Sequence, residues 1–236
     1  MLRARRYWNI NAFTRAQFLA WSNHPRFKTL LANTRRTILE MFQKHARVNI
    51  AVSGGKDSLV MLDLAIHLNS LCTVWHWDYG IYMPRPLEAE VLKILQGHFH
   101  LRSPQLGVDC RMSRDPESSE GYRAFFKAIS THLNRYEITL NLIGLRAEES
   151  CARKRRCRNA IEQQNSVTNF FPLREWRWKD IWAYLISRGI PYPSPYDVRG
   201  PFMGWDKVRF VTFFDPEFEH LGGYIQDEFF FWRLRS

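Results

Sequence analysis

Short apolar runs alternate with longer apolar stretches through the middle of this 236-residue chain. The short runs have the length of buried strands, and the longer stretches have the length and spacing of helices. The predicted strands are 48–53, 71–77, a poorly defined strand near 107–111, and 138–144, and the predicted helices are 57–69, 86–98 and 120–135. Strands that alternate with helices favour an α/β fold with a doubly wound, mostly parallel sheet.

The residues outside this alternating core have patterns of their own. Between 14 and 46, apolar and basic positions recur at helical spacing, so we expect helices there with a break near Pro25. After Gly144 the chain is basic and irregular until Phe170, and a further helix follows with an apolar stripe within 178–186. The proline-rich stretch 190–197 is expected to be an extended crossing and not a helix.

These patterns divide the chain into three parts. We expect an N-terminal helical segment at 1–46, a central domain at 47–200, and an irregular aromatic C-terminal extension at 201–236 packed on the same domain. The extension is rich in aromatic and acidic residues between Phe213 and Trp232. Two interpretations of this extension are open. It packs on the core with one solvated face, or it forms a docking surface for a partner protein.

A glycine-containing run, Ser-Gly-Gly-Lys-Asp-Ser, joins the first predicted strand of the core to its first helix. A strand, a glycine turn and a helix start direct backbone N–H groups and the positive end of the helix dipole at one spot. Gly54 and Gly55 let the backbone approach an anion closely. Lys56 adds a positive charge, and Ser53 and Ser58 add hydroxyl donors. The run is therefore predicted to bind a chain of phosphates.

Two further strand ends carry polar residues. His76 and Asp78 lie in Trp-His-Trp-Asp-Tyr-Gly, and Gly144 and Arg146 lie in a second segment that Arg153 follows. Because ligands of parallel sheets bind beyond the carboxyl ends of the strands, these residues are expected to share one pocket with the glycine run. Taken singly, a turn cap, a core histidine and a surface ion pair would explain them equally well.

The glycine run is not a Walker P-loop, which would need glycine at Ile50 and Ser or Thr at Asp57. It resembles the signature of the PP-loop ATP pyrophosphatases, which have an adenine nucleotide alpha hydrolase-like fold. A longer set of motifs resembles the phosphoadenosine-phosphosulfate (PAPS) reductase branch of that superfamily. The set consists of the glycine run, Asp78-Tyr79-Gly80, the segment 144–150 with Arg153, and the motifs at 171–173, 178–182 and 190–197.

The resemblance implies that the central domain binds ATP. It implies that the nucleotide phosphates are bound by Ser53, Gly54, Gly55, Lys56, Asp57 and Ser58. Residues around Asp78 are expected to line the nucleoside side, and His76, Gly144 and Arg146 are also expected to bind the nucleotide. Arg146 and Arg153 are expected to reach the anionic end of the substrate. Lys56, Asp57, Asp78, Arg146 and Arg153 are the expected catalytic residues. Asp57 and Asp78 are the candidate ligands for the Mg²⁺ that a triphosphate carries.

The chain departs from this branch in three ways. No cysteine follows Cys157, Tyr79 stands where the branch usually has threonine, and the cysteine pairs of the cluster-bearing reductases are missing. Without a late thiol there is no evident nucleophile for a sulfonate sulfur. The preferred hypothesis is an ATP pyrophosphatase that adenylates an acceptor oxygen for sulfur transfer, with a DNA backbone phosphate as acceptor and a cysteine desulfurase or another sulfur-donor protein as partner.

Three alternatives stay open at this stage. A sulfonucleotide reductase would need Cys151 or Cys157 to replace the missing thiol. A sulfate adenylyltransferase subunit would use the same phosphate chemistry on another acceptor. A non-catalytic nucleotide-binding subunit would keep the fold without turnover, which the combination of Lys56, Asp57 and Arg146 argues against.

The formal net charge of +11 strengthens the link to polyanions. Basic residues concentrate in an N-terminal arm (Arg3, Arg5 and Arg6) and between Arg146 and Arg158. Either cluster alone is also compatible with a solvated face.

No stretch approaches the ~20 uninterrupted apolar residues of a membrane span, and no signal-type run follows the basic start. We therefore expect a cytoplasmic protein with no membrane partner. The four cysteines, Cys72, Cys110, Cys151 and Cys157, form no CxxC pair and lack zinc-site spacing. An iron–sulfur cluster would need all four, so we do not expect one.

Overall fold

A computed structural model of the chain describes residues 10–69, 71–80, 83–110 and 120–208. The basic N-terminal arm and the aromatic segment 213–232, both singled out by the sequence, lie outside the described residues.

Six strands form one sheet in the order β3-β2-β1-β4-β6-β5, and all neighbours except the last pair are parallel. The strands are β1 (Val48–Val52), β2 (Thr73–Asp78), β3 (Leu106–Cys110), β4 (Leu140–Ile143), β5 (Ile161–Gln164) and β6 (Val167–Phe170). The chain moves outward from β1 to β3 and then returns to the other side of β1 at β4. The strand order therefore reverses between β1 and β4, where parallel sheets place their ligands.

Eight helices accompany the sheet in the described residues. They are α1 (Ala12–Asn23), α2 (Pro25–Lys44), α3 (Lys56–Ile66), α4 (Arg85–Lys93), α5 (Glu120–Arg135), α6 (Cys151–Arg156), α7 (Trp178–Arg188) and α8 (Pro195–Met203), and α4 continues into a π-helical turn, Ile94–His98. Successive side chains of a strand point to opposite faces of a sheet. Trp75 and Trp77 of β2 contact Phe125 of α5, whereas His76 between them contacts Glu88 of α4. Helices therefore cover both faces, and the predicted doubly wound, mostly parallel sheet is confirmed.

The first of the two N-terminal helices packs on α7. The predicted break near Pro25 is present because α1 ends at Asn23 and Pro25 opens α2. The Trp21 indole N–H donates to Asp180 at 2.7 Å, and the ring of Phe18 stacks on that of Trp182 at 6.1 Å. Both helices contribute buried residues to the same apolar core as the sheet.

Two expectations about irregular segments were wrong. The stretch after Gly144 contains α6 and a β5–β6 hairpin, and β6 joins the parallel sheet beside β4. The sequence obscured β5 because it is a short, polar edge strand with little apolar alternation. The proline-rich stretch is non-helical only through Ser194, because Pro195 begins α8. Proline fits the first helical position, where its missing N–H would have no intrahelical partner.

None of the helices within the described residues is long and apolar enough to cross a membrane.

Candidate functional site

The loops that follow β1 and β4 touch each other at the point where strand order reverses. Gly144, directly after β4, lies so close to the start of α3 that a Cβ there would be 3.1 Å from Ser58 Cα and 3.2 Å from the carbonyl carbon of Asp57. Because both neighbours are backbone atoms, a side chain at position 144 would require the start of α3 to shift by a few tenths of an ångström. Two of the three strand ends that the sequence singled out, those of β1 and β4, thus meet.

The glycine run forms a tight cradle at the N-terminus of α3. Gly54 has φ +80°, and a Cβ there would lie 2.6 Å from the Val91 side chain of α4, so only glycine fits. The hydroxyls of Ser53 and Ser58 lie 3.3 Å apart, and that of Ser58 donates to the Gly55 carbonyl at 2.8 Å. Backbone N–H groups in the first turn of a helix lack intrahelical acceptors, which suits this end of α3 to an anion.

The cradle opens into a cleft of about 430 Å³ between the front of the sheet and α5. Four residues of the glycine run line its upper end: Ser53, Gly55, Asp57 and Ser58. Side chains of α5 (Phe125, Phe126, Ile129 and Leu133), called the α5 wall below, form one side. Arg153 and Arg156 of α6, called the α6 wall below, also line the cleft. The cleft therefore combines an anion cradle, an aromatic surface and two cations.

Arg146 is the centre of a buried ion network. It is only 2% exposed, it pairs with Asp57, and its guanidinium donates to Glu148 at 2.7 Å. Burial by itself would raise the pKa of Asp57, but Arg146 and Lys56 outweigh burial and lower that pKa to about 2. Glu149 pairs with Arg153 of the α6 wall. The network thus links the glycine run to the cationic side of the cleft.

Lys56 does not line the cleft, although the sequence marks it as a phosphate ligand. Its side chain is fully buried, and its Nζ donates to the Val208 carbonyl at 3.1 Å and pairs with Asp57 at 3.2 Å. The Lys56 backbone N–H donates to the Tyr196 hydroxyl at 3.0 Å. Burial is the largest influence on the Lys56 ammonium and lowers its pKa. The Lys56 side chain therefore joins the glycine run to Val208 instead of lining the cleft.

Asp78 and His76 also lie apart from the cleft lining. Asp78 accepts two hydrogen bonds from Arg85, each 2.7 Å long, and one from the Gly80 N–H at 2.8 Å. Burial alone would raise the pKa of Asp78, but these hydrogen bonds lower it. His76 is fully buried between the Val52 carbonyl at 2.8 Å and Glu88 at 2.9 Å. Both residues support the strand ends beside the glycine run.

Sequence reasoning missed the aromatic side of the cleft. Trp75, Trp77 and Tyr79 line it together with the α5 wall. The available signal was the alternation of tryptophan with histidine in β2, which puts both tryptophans on one face. This face borders a cleft because of where α5 lies, and the position of α5 could not be predicted from the sequence.

The carboxylates near the cleft do not fit a protein-only magnesium site. Asp57 is paired with Arg146 and Lys56, and Asp78 is paired with Arg85. Across the described ranges, no three His, Cys, Asp or Glu side chains are grouped so that they could hold a metal ion. We therefore assign no step to a resident metal. Mg²⁺ that arrives bound to a triphosphate would be part of the substrate.

A family model for the phosphoadenosine phosphosulfate reductase domain matches residues 47–227. The chain belongs to this family. The PAPS reductase domain thus covers most of the chain, including the glycine run, the network around Arg146 and every strand of the sheet. The PP-loop resemblance inferred from the motifs is confirmed at the level of superfamily and family.

Relatives with curated names agree with this family. The chain is 24% identical over 187 residues to adenosine 5'-phosphosulfate reductase 2 of Bacillus subtilis (strain 168), a match that covers 75% of this chain and 78% of that protein. It is 33% identical over 169 residues to an adenosine 5'-phosphosulfate reductase of Bacillus anthracis (strain A0248), which covers 66% of this chain and 73% of that protein.

Solved structures share the fold at much lower identity. An NH3-dependent NAD synthetase from Campylobacter jejuni matches with a TM-score of 0.51 at 12% identity, covering 80% of each chain. An NMN synthetase from Francisella tularensis matches with a TM-score of 0.50 at 13% identity, covering 89% of this chain and 94% of that one. These likenesses support the adenine nucleotide alpha hydrolase-like fold of the PAPS reductase domain and nothing more specific.

Proposed function

We propose that this PAPS reductase domain is an ATP pyrophosphatase that adenylates an acceptor oxygen and so prepares it for sulfur transfer. The observation that carries the proposal is the set of residues that line the cleft. It has a phosphate cradle at one end and two arginines of the α6 wall beside it, and no cysteine is among the described residues that line it. The site is thus equipped for phosphate electrostatics and not for attack by its own thiol.

The cysteines support the same reading. Cys72 and Cys157 are buried, and burial raises the pKa of the Cys72 thiol to about 12 and that of Cys157 above its usual value. Burial and the neighbouring Asp78 raise the pKa of Cys110 to about 11. A thiol of high pKa holds little of the thiolate that acts as nucleophile. Cys151 is exposed but lies outside the cleft lining.

The proposed reaction needs positioning and charge stabilisation. The acceptor oxygen attacks the α-phosphorus of ATP, the bond between that phosphorus and the bridging oxygen breaks, and pyrophosphate leaves. The hydroxyls of Ser53 and Ser58 and the N-terminus of α3 are suited to stabilise charge that develops on the leaving pyrophosphate. Arg153 is suited to bind the anionic acceptor. Arg146 would act through Asp57 and Glu149, which it holds in position.

For the acceptor we propose a DNA backbone phosphate. Its adenylation gives a mixed anhydride, and the outer persulfide sulfur of a donor protein such as a cysteine desulfurase then attacks the DNA phosphorus and expels AMP. A second thiol attacks the inner, donor-protein sulfur of the resulting P–S–S bond, so that the outer sulfur stays on the phosphorus as a phosphorothioate and the donor leaves as a disulfide. The net charge of +11 and the basic α6 at the edge of the cleft favour such a polyanion over a neutral acceptor.

The test is product analysis with the full chain. Protein, MgATP and DNA are incubated with and without a cysteine desulfurase and cysteine, and AMP, ADP and pyrophosphate are measured. We expect pyrophosphate release that depends on DNA, and an equal amount of AMP when the desulfurase and cysteine are present. Formation of ADP, or no pyrophosphate under any of these combinations, would contradict the proposal.

A matched pair of variants locates the chemistry. Ser58→Ala removes a cradle hydroxyl that donates to the carbonyl three residues earlier, and Ser187→Ala removes the same kind of hydrogen bond, 3.1 Å to Tyr184, on α7. We expect pyrophosphate release to fall at least tenfold in the first variant and to stay near wild type in the second. Equal effects would argue against the cradle as the site of reaction.

The names of the relatives favour one second candidate, reduction of a sulfonucleotide. Here Cys151, at the start of α6, would have to reach the substrate, because it is the exposed cysteine nearest in sequence to Arg153. Sulfite is the diagnostic product when adenosine 5'-phosphosulfate is supplied with a thiol reductant. Sulfite production that Cys151→Ser abolishes would support reduction and displace the ATP pyrophosphatase proposal.

A further inference from the structure

A cluster of positive charge lies at the protein surface outside the cleft, on α6 and the residues after it. Five of the six residues from 153 to 158 are basic, and α6 contains no buried residue. Arg153 pairs with Glu149. Arg156 pairs with Glu162 at 3.1 Å. No carboxylate in the described part of the chain pairs with the other three basic residues, called the basic patch below: Lys154, Arg155 and Arg158.

The segment that carries the basic patch is held in place by the sheet. Arg174 donates a 2.8 Å hydrogen bond to the carbonyl of Arg158, and Cys157 is buried. The Arg156 guanidinium lies 5.6 Å from the centre of the Phe171 ring. Like charges three or four residues apart on a helical segment repel each other. A folded surface that keeps such charges together is suited to an anionic partner that neutralises them.

An open depression beside α6 adds groups that bind phosphate. Arg155, Arg156 and Arg158 border it, and so do the side chains of Asn159 and Gln163. The planar fork of arginine donates two parallel N–H bonds to a phosphate. Side-chain amides also contact the phosphates of nucleic acids, and such contacts position the duplex without reading its sequence. The depression therefore offers both charged and neutral donors to a chain of phosphates.

The depression lacks the groups that other anionic partners need. Of the described residues that border it, Ile161 alone is apolar and none is aromatic. Protein partners are anchored mainly by buried aromatic and apolar side chains. Unpaired nucleic-acid strands stack their bases on aromatic rings. The backbone of a duplex needs neither, because cations and neutral donors suffice to bind its phosphates. Duplex DNA is therefore the polyanion that this surface fits best.

The depression is continuous with the mouth of the cleft. Arg156 borders both of them, and Arg153, one turn earlier on α6, lines the cleft together with Asp57 and Ser58. The six residues of α6 span about 9 Å, which corresponds to two or three phosphates of one strand at about 3.4 Å of axial rise each. A backbone bound along α6 would thus pass the phosphate cradle without entering the cleft.

We propose that the basic patch and the depression bind the backbone of duplex DNA outside the cleft. The cleft is left to ATP, and one backbone phosphate is brought to Arg153 at its mouth. This inference rests on the proposed function, because it locates the surface that presents the acceptor. Since the contacts are to phosphates and not to base edges, binding should not depend on DNA sequence.

The test is fluorescence anisotropy with a labelled duplex of about 20 base pairs, or two helical turns, using the full chain over a series of salt concentrations. We expect a second duplex of unrelated sequence to bind with an affinity within about threefold. We also expect the duplex to stay bound in the presence of α,β-methylene ATP. Displacement by the ATP analogue, or equally strong competition by poly-glutamate of the same charge, would overturn the inference. The second result would indicate an acidic protein as the partner.

A matched pair of double variants locates the binding surface. Arg155→Gln combined with Arg158→Gln should lower the slope of log affinity against log salt by about two, and should weaken duplex binding at least tenfold. Arg26→Gln combined with Arg36→Gln removes two exposed arginines of α2 and should change neither quantity. Thermal unfolding of both variants checks that the fold is kept. Equal effects of the two double variants would contradict the inference.

Failure of this inference is distinguishable from failure of the proposed function. Pyrophosphate release that depends on DNA, together with equal duplex affinity of the two double variants, would sustain the adenylation chemistry and reject the surface. Duplex binding that is weakened only by the change at Arg155 and Arg158, without any pyrophosphate release, would sustain the surface and reject the chemistry.

Discussion

The Nζ of Lys56 donates a 3.1 Å hydrogen bond to the backbone carbonyl of Val208 and does not line the cleft. The most conspicuous charge of the glycine run therefore joins that run to the segment after α8. Tyr196 of α8 strengthens the link, because its hydroxyl accepts the Lys56 N–H and its ring lies 5.4 Å from the ammonium.

Lys56→Met should therefore affect stability more than nucleotide affinity. The substitution removes a buried hydrogen bond and a charge partner of Asp57, so we expect the free energy of unfolding in urea to fall by about 1–3 kcal/mol. ATP affinity, measured by calorimetry, should stay within about threefold of wild type. Lys28→Met, an exposed change on α2, is the control. A loss of ATP affinity above a hundredfold at unchanged stability would instead make Lys56 a phosphate ligand.

Gly144→Ala should separate the two loops at the switch point. Its Cβ would meet backbone atoms of Ser58 and Asp57 at 3.1–3.2 Å, and those atoms cannot move without shifting the cradle. We expect ATP affinity to fall at least tenfold. Gly97→Ala is the matched control, because its Cβ would meet only the Lys93 side chain at 4.0 Å. Similar affinities for both variants would show that the loop contact does not shape the cradle.

Asp57 should make stability depend on pH in the acid range. Its folded-state pKa of about 2 lies below the usual aspartate pKa of 3.8, so its stabilising effect is complete above about pH 4 and is lost as the pH falls toward 2. The difference corresponds to about 2 kcal/mol at 1.36 kcal/mol per pKa unit. Chemical denaturation at pH 5 and pH 2.5 measures the larger part of this difference.

Asp57→Asn should remove this part of the acid sensitivity, although it also lowers stability at pH 5 because Arg146 and Lys56 lose their partner. Glu40→Gln, a change at an exposed position of α2, should keep the wild-type pH dependence. An Asp57→Asn variant as acid-sensitive as wild type would mean that Asp57 titrates normally in the folded chain.

Cys151 should be the first thiol to react with a disulfide reagent at pH 8. Cys72 and Cys157 are buried, and Cys110 has a pKa of about 11 because of burial and Asp78. The fast phase of the reaction should disappear in Cys151→Ser and persist in Cys110→Ser. Cys151→Ser should also release pyrophosphate at the wild-type rate, because this thiol does not line the cleft. A fast phase that persists in Cys151→Ser would contradict the assignment.

Part of the fold could be derived locally. The first strand, the glycine run and α3 are adjacent in sequence, and their apolar pattern and turn residues suffice to place an anion cradle between a strand and a helix. The glycine at position 54 could also be interpreted locally, because its positive φ is a requirement of the turn itself. The edge strand β5 and the proline-initiated α8 were missed, because a polar strand and a proline each have two common local explanations.

The sequence by itself determined the α/β class, the family and the two strand ends, of β1 and β4, that meet at the switch point, because these depend on local patterns and on motifs of fixed spacing. The tertiary structure decided where side chains point. It turned Lys56 toward Val208, enclosed His76 with Glu88, and set the α5 wall opposite the α6 wall. Such directions depend on packing between residues far apart in the chain, which no local pattern encodes.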